Sequence, residues 1–130
     1  FAGSGSLGLE ALSRGASRCT FVESDRAACR VLQDNLRALG LTGAIVARRD
    51  AVRALREETT AGRRHDLVLL DPPYGAWAEL EERLGALLPL VVTDTGLVVV
   101  ETDARIEPHL PLDPVTTRRY GSARLTVFSP

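Results

Sequence analysis

The 130-residue chain contains no lysine and no methionine, and all 16 of its basic residues are arginine. Arginine presents a planar fork that pairs bidentately with phosphate or carboxylate. With 17 acidic residues the formal net charge is only −1, which speaks against a broadly basic nucleic-acid-binding domain. The pairs Arg48-Arg49, Arg63-Arg64 and Arg118-Arg119 could still form local patches, although solvated surface charge is the plainer reading of any one pair. Cysteine is scarce. Cys19 and Cys29 show neither a CxxC nor a metal-ligand spacing, and read as reduced, small core residues of a cytosolic protein. His65 and His109 have no plausible ligand set or nucleophile partner, so no metal centre is expected. No apolar run approaches the ~20 residues of a membrane span, and no signal peptide, repeat or low-complexity segment is visible. Apolar content of 45% and charged content of 25% suit one globular domain with one core.

What the chain does have is concentrated in Asp66-Leu67-Val68-Leu69-Leu70-Asp71-Pro72-Pro73-Tyr74. An unbroken apolar run without alternation reads as a parallel strand buried on both faces. It stops at Asp71, and the two prolines force an extended path and donate no N–H. The result is a rigid, extended tetrapeptide at the carboxyl end of a strand, where open α/β sheets bind ligands. Asp71 and the Asp71 and Pro72 carbonyls are acceptors for the protons of a planar amine. Tyr74 offers a face for stacking, worth about 1–3 kcal/mol per base. The plainer alternative is a turn in which Asp71 caps the helix beginning near Ala76.

The chain opens on Phe1-Ala2-Gly3-Ser4-Gly5-Ser6-Leu7-Gly8, a G-x-G-x-x-G loop. Ser6 is a candidate N-cap, Leu7, Ala11 and Leu12 form a short apolar face, and Gly15 is a stop. Arg18 to Val22 reads as a strand with Glu23 at its end. Glu23 lies twenty positions after Gly3, as expected for a carboxylate that accepts from ribose hydroxyls. It also suits the acidic start of the next helix. Asp25 to Leu39 is a helix with Ala28, Val31, Leu32, Leu36 and Leu39 on one face, ended by Gly40. Ala44 to Ala47 is a short strand. Asp50, after it, either accepts from an adenine amine or caps the helix from Ala51 to Glu58.

After Tyr74 a helix is expected over Ala76 to Leu88, then a Thr95-Gly96 turn and a buried strand from Leu97 to Glu101. A proline-rich loop runs from Ile106 to Pro114. Val115 to Tyr120 and Arg124 to Phe128 flank Gly121-Ser122, a hairpin signal. Alternating strands and helices predict an α/β, Rossmann-like domain, a mostly parallel sheet with helices on both faces that ends in an antiparallel hairpin. A glycine loop of this kind needs a strand before it, so residues 1–130 are expected to be a single domain lacking its first strand and upstream segment.

Phe1 to Ala16, Phe21-Val22-Glu23, Asp71-Pro72-Pro73-Tyr74 and Arg119-Tyr120-Gly121 together resemble the RsmD family over nearly the whole chain. These are class I methyltransferases that use S-adenosyl-L-methionine to modify a guanine N2 amine in bacterial 16S ribosomal RNA. The resemblance implies that Ala2, Gly3, Ser4 and Gly5 line the methionine and ribose portion of the cofactor. Glu23 would hold the ribose hydroxyls with Ser24 beside the adenine, and Asp50 and Ala51 would contact the adenine edge. Asp71, Pro72, Pro73 and Tyr74 would hold the target base. It further implies a cytoplasmic, metal-independent, monomeric enzyme whose partner is 16S rRNA or a small-subunit particle, with no membrane. Three rivals stand beside it: the same chemistry on DNA adenine or protein glutamine, a nicotinamide-dependent oxidoreductase, and a non-catalytic RNA-binding module.

Overall fold

Gly5, at φ +90°, turns the chain into α1 (Ser6–Ser13). The computed structural model describes all 130 residues, and the chain divides into two units, residues 1–54 and 55–130. In the first, β1 (Cys19–Glu23) pairs in parallel with β2 (Ala44–Arg48), in register from Cys19↔Ala44 to Glu23↔Arg48. Between them runs α2 (Arg26–Leu39), which Asp25 caps by accepting the Ala28 N–H at 2.8 Å and Gly40 ends in the left-handed region. α3 (Ala51–Thr60) follows β2 and carries the division between the units.

Leu9, Leu12, Phe21 and Leu32 form the core of the first unit. Each such side chain contributes about 1.5–3 kcal/mol on burial. Helix α1 approaches β1 so closely that a Cβ on Gly8 would lie 2.3 Å from the Phe21 ring. The observed faces differ from the expected ones. Ser6 is the first helical residue of α1 rather than its cap, and Gly5 occupies the cap position with no side chain to offer. Leu7 is exposed, and Leu9 takes the inward position instead. On α2 the buried residues are Cys29 and Leu32, while Val31 and Leu39 are exposed.

The second unit contains β3 (His65–Leu70), α4 (Trp77–Gly85), α5 (Leu88–Val91), β4 (Val92–Asp103), β5 (Asp113–Tyr120) and β6 (Ala123–Ser129). Its strands lie in the order β3-β4-β6-β5. β3 and β4 are parallel, and β6 runs antiparallel to both of its neighbours. The antiparallel hairpin is therefore present, but the strands form two sheets where one was expected. β1 has only β2 as a partner, and β3 has only β4. Nor is β3 buried on both faces: Leu70 is buried, but Leu67 is 45% exposed.

Three further differences have local causes. The single helix expected over residues 76–88 is split, because Pro89 starts the short helix α5. The Thr95-Gly96 turn is an irregularity inside β4: His65 pairs with Val92 but Leu67 pairs with Leu97. Gly96 suits it, since an added Cβ would press to 3.0 Å from the Asp66 carbonyl. β5 begins at Asp113 and accommodates Pro114 as an edge strand with a register shift between Pro114 and Thr116. One face of the sheet is buried through Val98, Val100 and Thr102 of β4 and Arg124, Thr126 and Phe128 of β6. Leu84, Leu88 and Val91, from α4 and α5, are fully buried. No helix is long and apolar enough to cross a membrane.

Candidate active site

In the first unit the predicted residues converge on the carboxyl edge of the β1–β2 pair. The Gly3 N–H donates to Glu23 Oε1 at 2.8 Å, and the Asp25 N–H donates to Glu23 Oε2 at 2.8 Å. The carboxylate is thus aimed by two backbone donors, one from the glycine loop and one from the start of α2. Each oxygen keeps lone-pair capacity for a further donor. The loop is tied back by the Ala2 N–H donating to the Val22 carbonyl (2.9 Å) and the Gly5 N–H donating to the Ala2 carbonyl (2.8 Å). Asn35 Nδ2 donates to the Ser4 carbonyl at 3.1 Å.

The glycines have separate functions. Gly3 has φ +57° and open space where a Cβ would point, so the backbone leaves room for a ligand. At Gly5 a Cβ would lie 2.1 Å from Leu32 Cδ1, so this glycine serves packing as well as the turn. A carboxylate fixed for two hydroxyls beside an uncovered glycine loop fits the nucleoside portion of the expected cofactor. Ser24 is exposed beside Glu23. Asp50 realises its capping alternative: its Oδ2 accepts the Arg53 N–H at 3.0 Å, and Ala51 is buried as the first residue of α3. The Arg49 N–H donates to the Glu23 carbonyl at 3.1 Å, joining the ends of the two strands.

In the second unit Asp71 directly follows β3. It caps nothing, because α4 begins at Trp77 with Ala76 as its cap and no side-chain capping bond. No protein group is hydrogen-bonded to the Asp71 carboxylate, and partial desolvation pushes its pKa up from the ordinary aspartate value. Pro72 is buried, Pro73 is exposed, and Tyr74 is 63% exposed. The tetrapeptide is not extended to its tip. The Ala76 N–H donates to the Pro73 carbonyl at 3.1 Å, closing a turn with Gly75 at its third position and φ +84°. A type II turn needs a positive φ at that place, and glycine supplies it. Tyr74 is therefore held out at the corner of a turn. The return is anchored by Trp77, which is buried and donates from Nε1 to Glu81 Oε1 at 2.9 Å.

Sequence reading missed Glu101. Leu70 pairs with Val100, so Glu101 follows in the neighbouring strand as Asp71 follows in β3. Burial raises the Glu101 pKa, and the charge of Asp71 raises it further. A second carboxylate at a strand's carboxyl end was the signal, and the register was needed to read it.

Residues 1–129 match the family model described as Conserved hypothetical protein 95. The chain belongs to this family, that of RsmD. It is 39% identical to the putative rRNA methyltransferase YlbH of Bacillus subtilis, over 98% of this chain and 72% of that protein. It is also 39% identical to ribosomal RNA small subunit methyltransferase D of Escherichia coli K12, over 88% of this chain and 55% of that one. The chain thus spans about half the length of that second relative. Among solved structures, the putative methyltransferase yhhF of Escherichia coli superposes with TM-score 0.85 at 33% identity, covering 98% of this chain and 72% of its own. A putative SAM-dependent methyltransferase from Streptococcus mutans gives TM-score 0.85 at 11% identity over 100% of this chain and 43% of its own, a likeness of fold alone. The fold is thus one that S-adenosylmethionine-dependent methyltransferases share, and the relatives above 30% identity are named as methyltransferases rather than as nicotinamide-dependent enzymes.

Proposed function

We propose that residues 1–130 act as one methyltransferase domain that transfers a methyl group to the N2 amine of a guanine in 16S ribosomal RNA. The observation that carries the reading is the Asp71 carboxylate, free of protein donors at the end of β3 and three residues before an exposed Tyr74. Names of the family relatives support ribosomal RNA as the substrate class. The cytoplasm, where such RNA is made, is the corresponding compartment, and a monomer needing no metal suffices for the chemistry.

S-adenosylmethionine supplies a methyl group that is already electrophilic on its sulfonium, so the work of the chain is positioning. Glu23 accepts from the ribose hydroxyls, Gly3 gives the ligand access to the loop, and Ala2, Ser4 and Gly5 shape it. Ser24, Asp50 and Ala51 face the adenine, with Asp50 keeping Oδ2 on its cap. Asp71 and the Pro72 carbonyl accept the amine protons, and Pro73 sets the turn that presents Tyr74 to the face of the base. Hydrogen bonds to an ionised Asp71 favour the nitrogen as positive charge develops on it. A base reaches such a site only when flipped out of its helix, and stacking on Tyr74 offsets part of that cost.

The test is a calorimetric titration of S-adenosylhomocysteine, followed by methyl transfer to 16S rRNA with mapping of the modified atom. Asp71→Ala is expected to abolish transfer while leaving S-adenosylhomocysteine affinity within about twofold. Equal loss of both would remove Asp71 from this role. A methyl group found on another atom would replace the guanine N2 assignment.

A further inference from the structure

The three arginine pairs of the sequence separate in the structure. Arg63 and Arg64 are neutralised, Arg63 Nη2 by Glu58 at 2.7 Å and Arg64 Nη1 by Asp94 at 3.2 Å. Arg49 also has an interaction partner. Arg118 and Arg119 have neither an ion pair nor a side-chain hydrogen bond. They lie in β5, the edge strand of its sheet, where all eight residues are exposed.

The register shows what they stand beside. Leu70 pairs with Val100, Val100 with Thr126, and Thr126 with Thr117. One step further toward the carboxyl edge come Asp71, Glu101, Leu125 and Arg118, the last three directly paired across the strands. Asp71 and Arg118 thus occupy one row, three strand spacings or about 14 Å apart. Tyr120, 60% exposed, ends the strand at the same edge. Arg119 is opposite Arg124, whose buried guanidinium is committed to the Ala104 carbonyl. Consecutive strand residues alternate between faces, so Arg119 lies on the face of Arg124, and Arg118 and Tyr120 lie on the other, which is the face of Asp71 and Glu101.

We propose that Arg118 and Tyr120 form the surface on which the phosphate backbone of the RNA docks while its target base is held at Asp71 and Tyr74. The inference rests on the methyltransferase reading above. The Arg118 guanidinium takes a phosphate, and Tyr120, two residues on and on the same face, stacks on an adjacent unpaired base. A protein chain pairing with the bare edge of β5 would leave the Arg118 charge uncompensated, which favours RNA as the occupant.

The test is equilibrium binding of transcribed 16S rRNA by fluorescence anisotropy between about 50 and about 200 mM salt. Arg118→Gln is expected to weaken binding at least about threefold at the low end. Its plot of log affinity against log salt should be shallower by about 0.7, for one phosphate contact on a single strand. Tyr120→Ala should weaken binding without changing that slope, and Arg64→Gln should change neither. S-adenosylhomocysteine affinity of Arg118→Gln should be unchanged, which separates lost docking from lost folding. Unchanged RNA affinity and slope in Arg118→Gln would overturn the proposal, as would a wild-type chain that does not bind the RNA. The readout contains no methyl transfer, so failure to methylate would count against the function reading and leave docking to be judged on its own.

Discussion

At Glu23 two backbone donors fix one carboxylate, and this is the most economical construction in the molecule. Both donors come from turns, so losing the acceptor releases the glycine loop and the start of α2 together. Glu23→Ala is therefore expected to weaken S-adenosylhomocysteine binding by about 1–3 kcal/mol, the cost of a lost charged acceptor, measured by calorimetry. Asp71 and Glu101 give a pH dependence of definite sign. Both have raised folded-state pKa values, so the native state keeps protons that the unfolded chain releases. Stability associated with them is present below the unfolded values and is lost as pH rises through the folded ones. Glu101→Gln removes the repulsion and should raise the urea midpoint at pH 7 relative to wild type, with the gap closing toward pH 4. Asp103 has the opposite sign: hydrogen bonds from Arg105 hold its carboxyl at about 2, so its contribution is present above the unfolded value and lost as pH falls through about 2. On the proposed role of Asp71, transfer needs its carboxylate ionised, and the acid limb of kcat/KM should fall above the ordinary aspartate value of about 3.9. An acid limb at or below that value would remove Asp71 from the rate-limiting ionisation.

Elements were legible from sequence where the signal was local. Asp25 and Gly40 bound α2 as their residue types suggest, and Gly121-Ser122 makes the hairpin between β5 and β6. Glu23, Asp50 and Asp71 stood out alike as carboxylates after strands, and only the structure shows that Asp50 caps α3 and that Asp71 caps nothing. What could not be read was what depends on partners distant in the chain. The apolar run Leu67–Leu70 looks the same whatever packs on its two faces, so the exposure of Leu67 was invisible. The Thr95-Gly96 dipeptide signals a turn in either context, and only pairing with β3 shows it to be a bulge. Pro89 was visible, but the new helix that it starts was not. Packing within an element gives its own prediction. Gly8→Ala places a Cβ 2.3 Å from the Phe21 ring, and should cost about 1–3 kcal/mol by overpacking despite better helix propensity. Denaturant unfolding measures it.

For the whole molecule, the division into residues 1–54 and 55–130 separates the two kinds of binding chemistry proposed above. The groups proposed for the cofactor belong to the first unit and those proposed for the amine to the second. S-adenosylhomocysteine is accordingly expected to slow amide hydrogen exchange at residues 2–5 and 23–29 while leaving β5 and β6 unaffected. Equal protection of the hairpin would contradict that division.

Tyr74 stands at the corner of a turn whose geometry belongs to Pro73 and Gly75 and whose anchor is Trp77. Nothing in folding depends on its ring, and Tyr74→Ala should leave the melting temperature unchanged. A position that folding leaves free is one at which substrate preference can drift without loss of the scaffold. Exchange of this residue for phenylalanine, tryptophan or histidine is thus a route by which one fold can come to accept different planar amines.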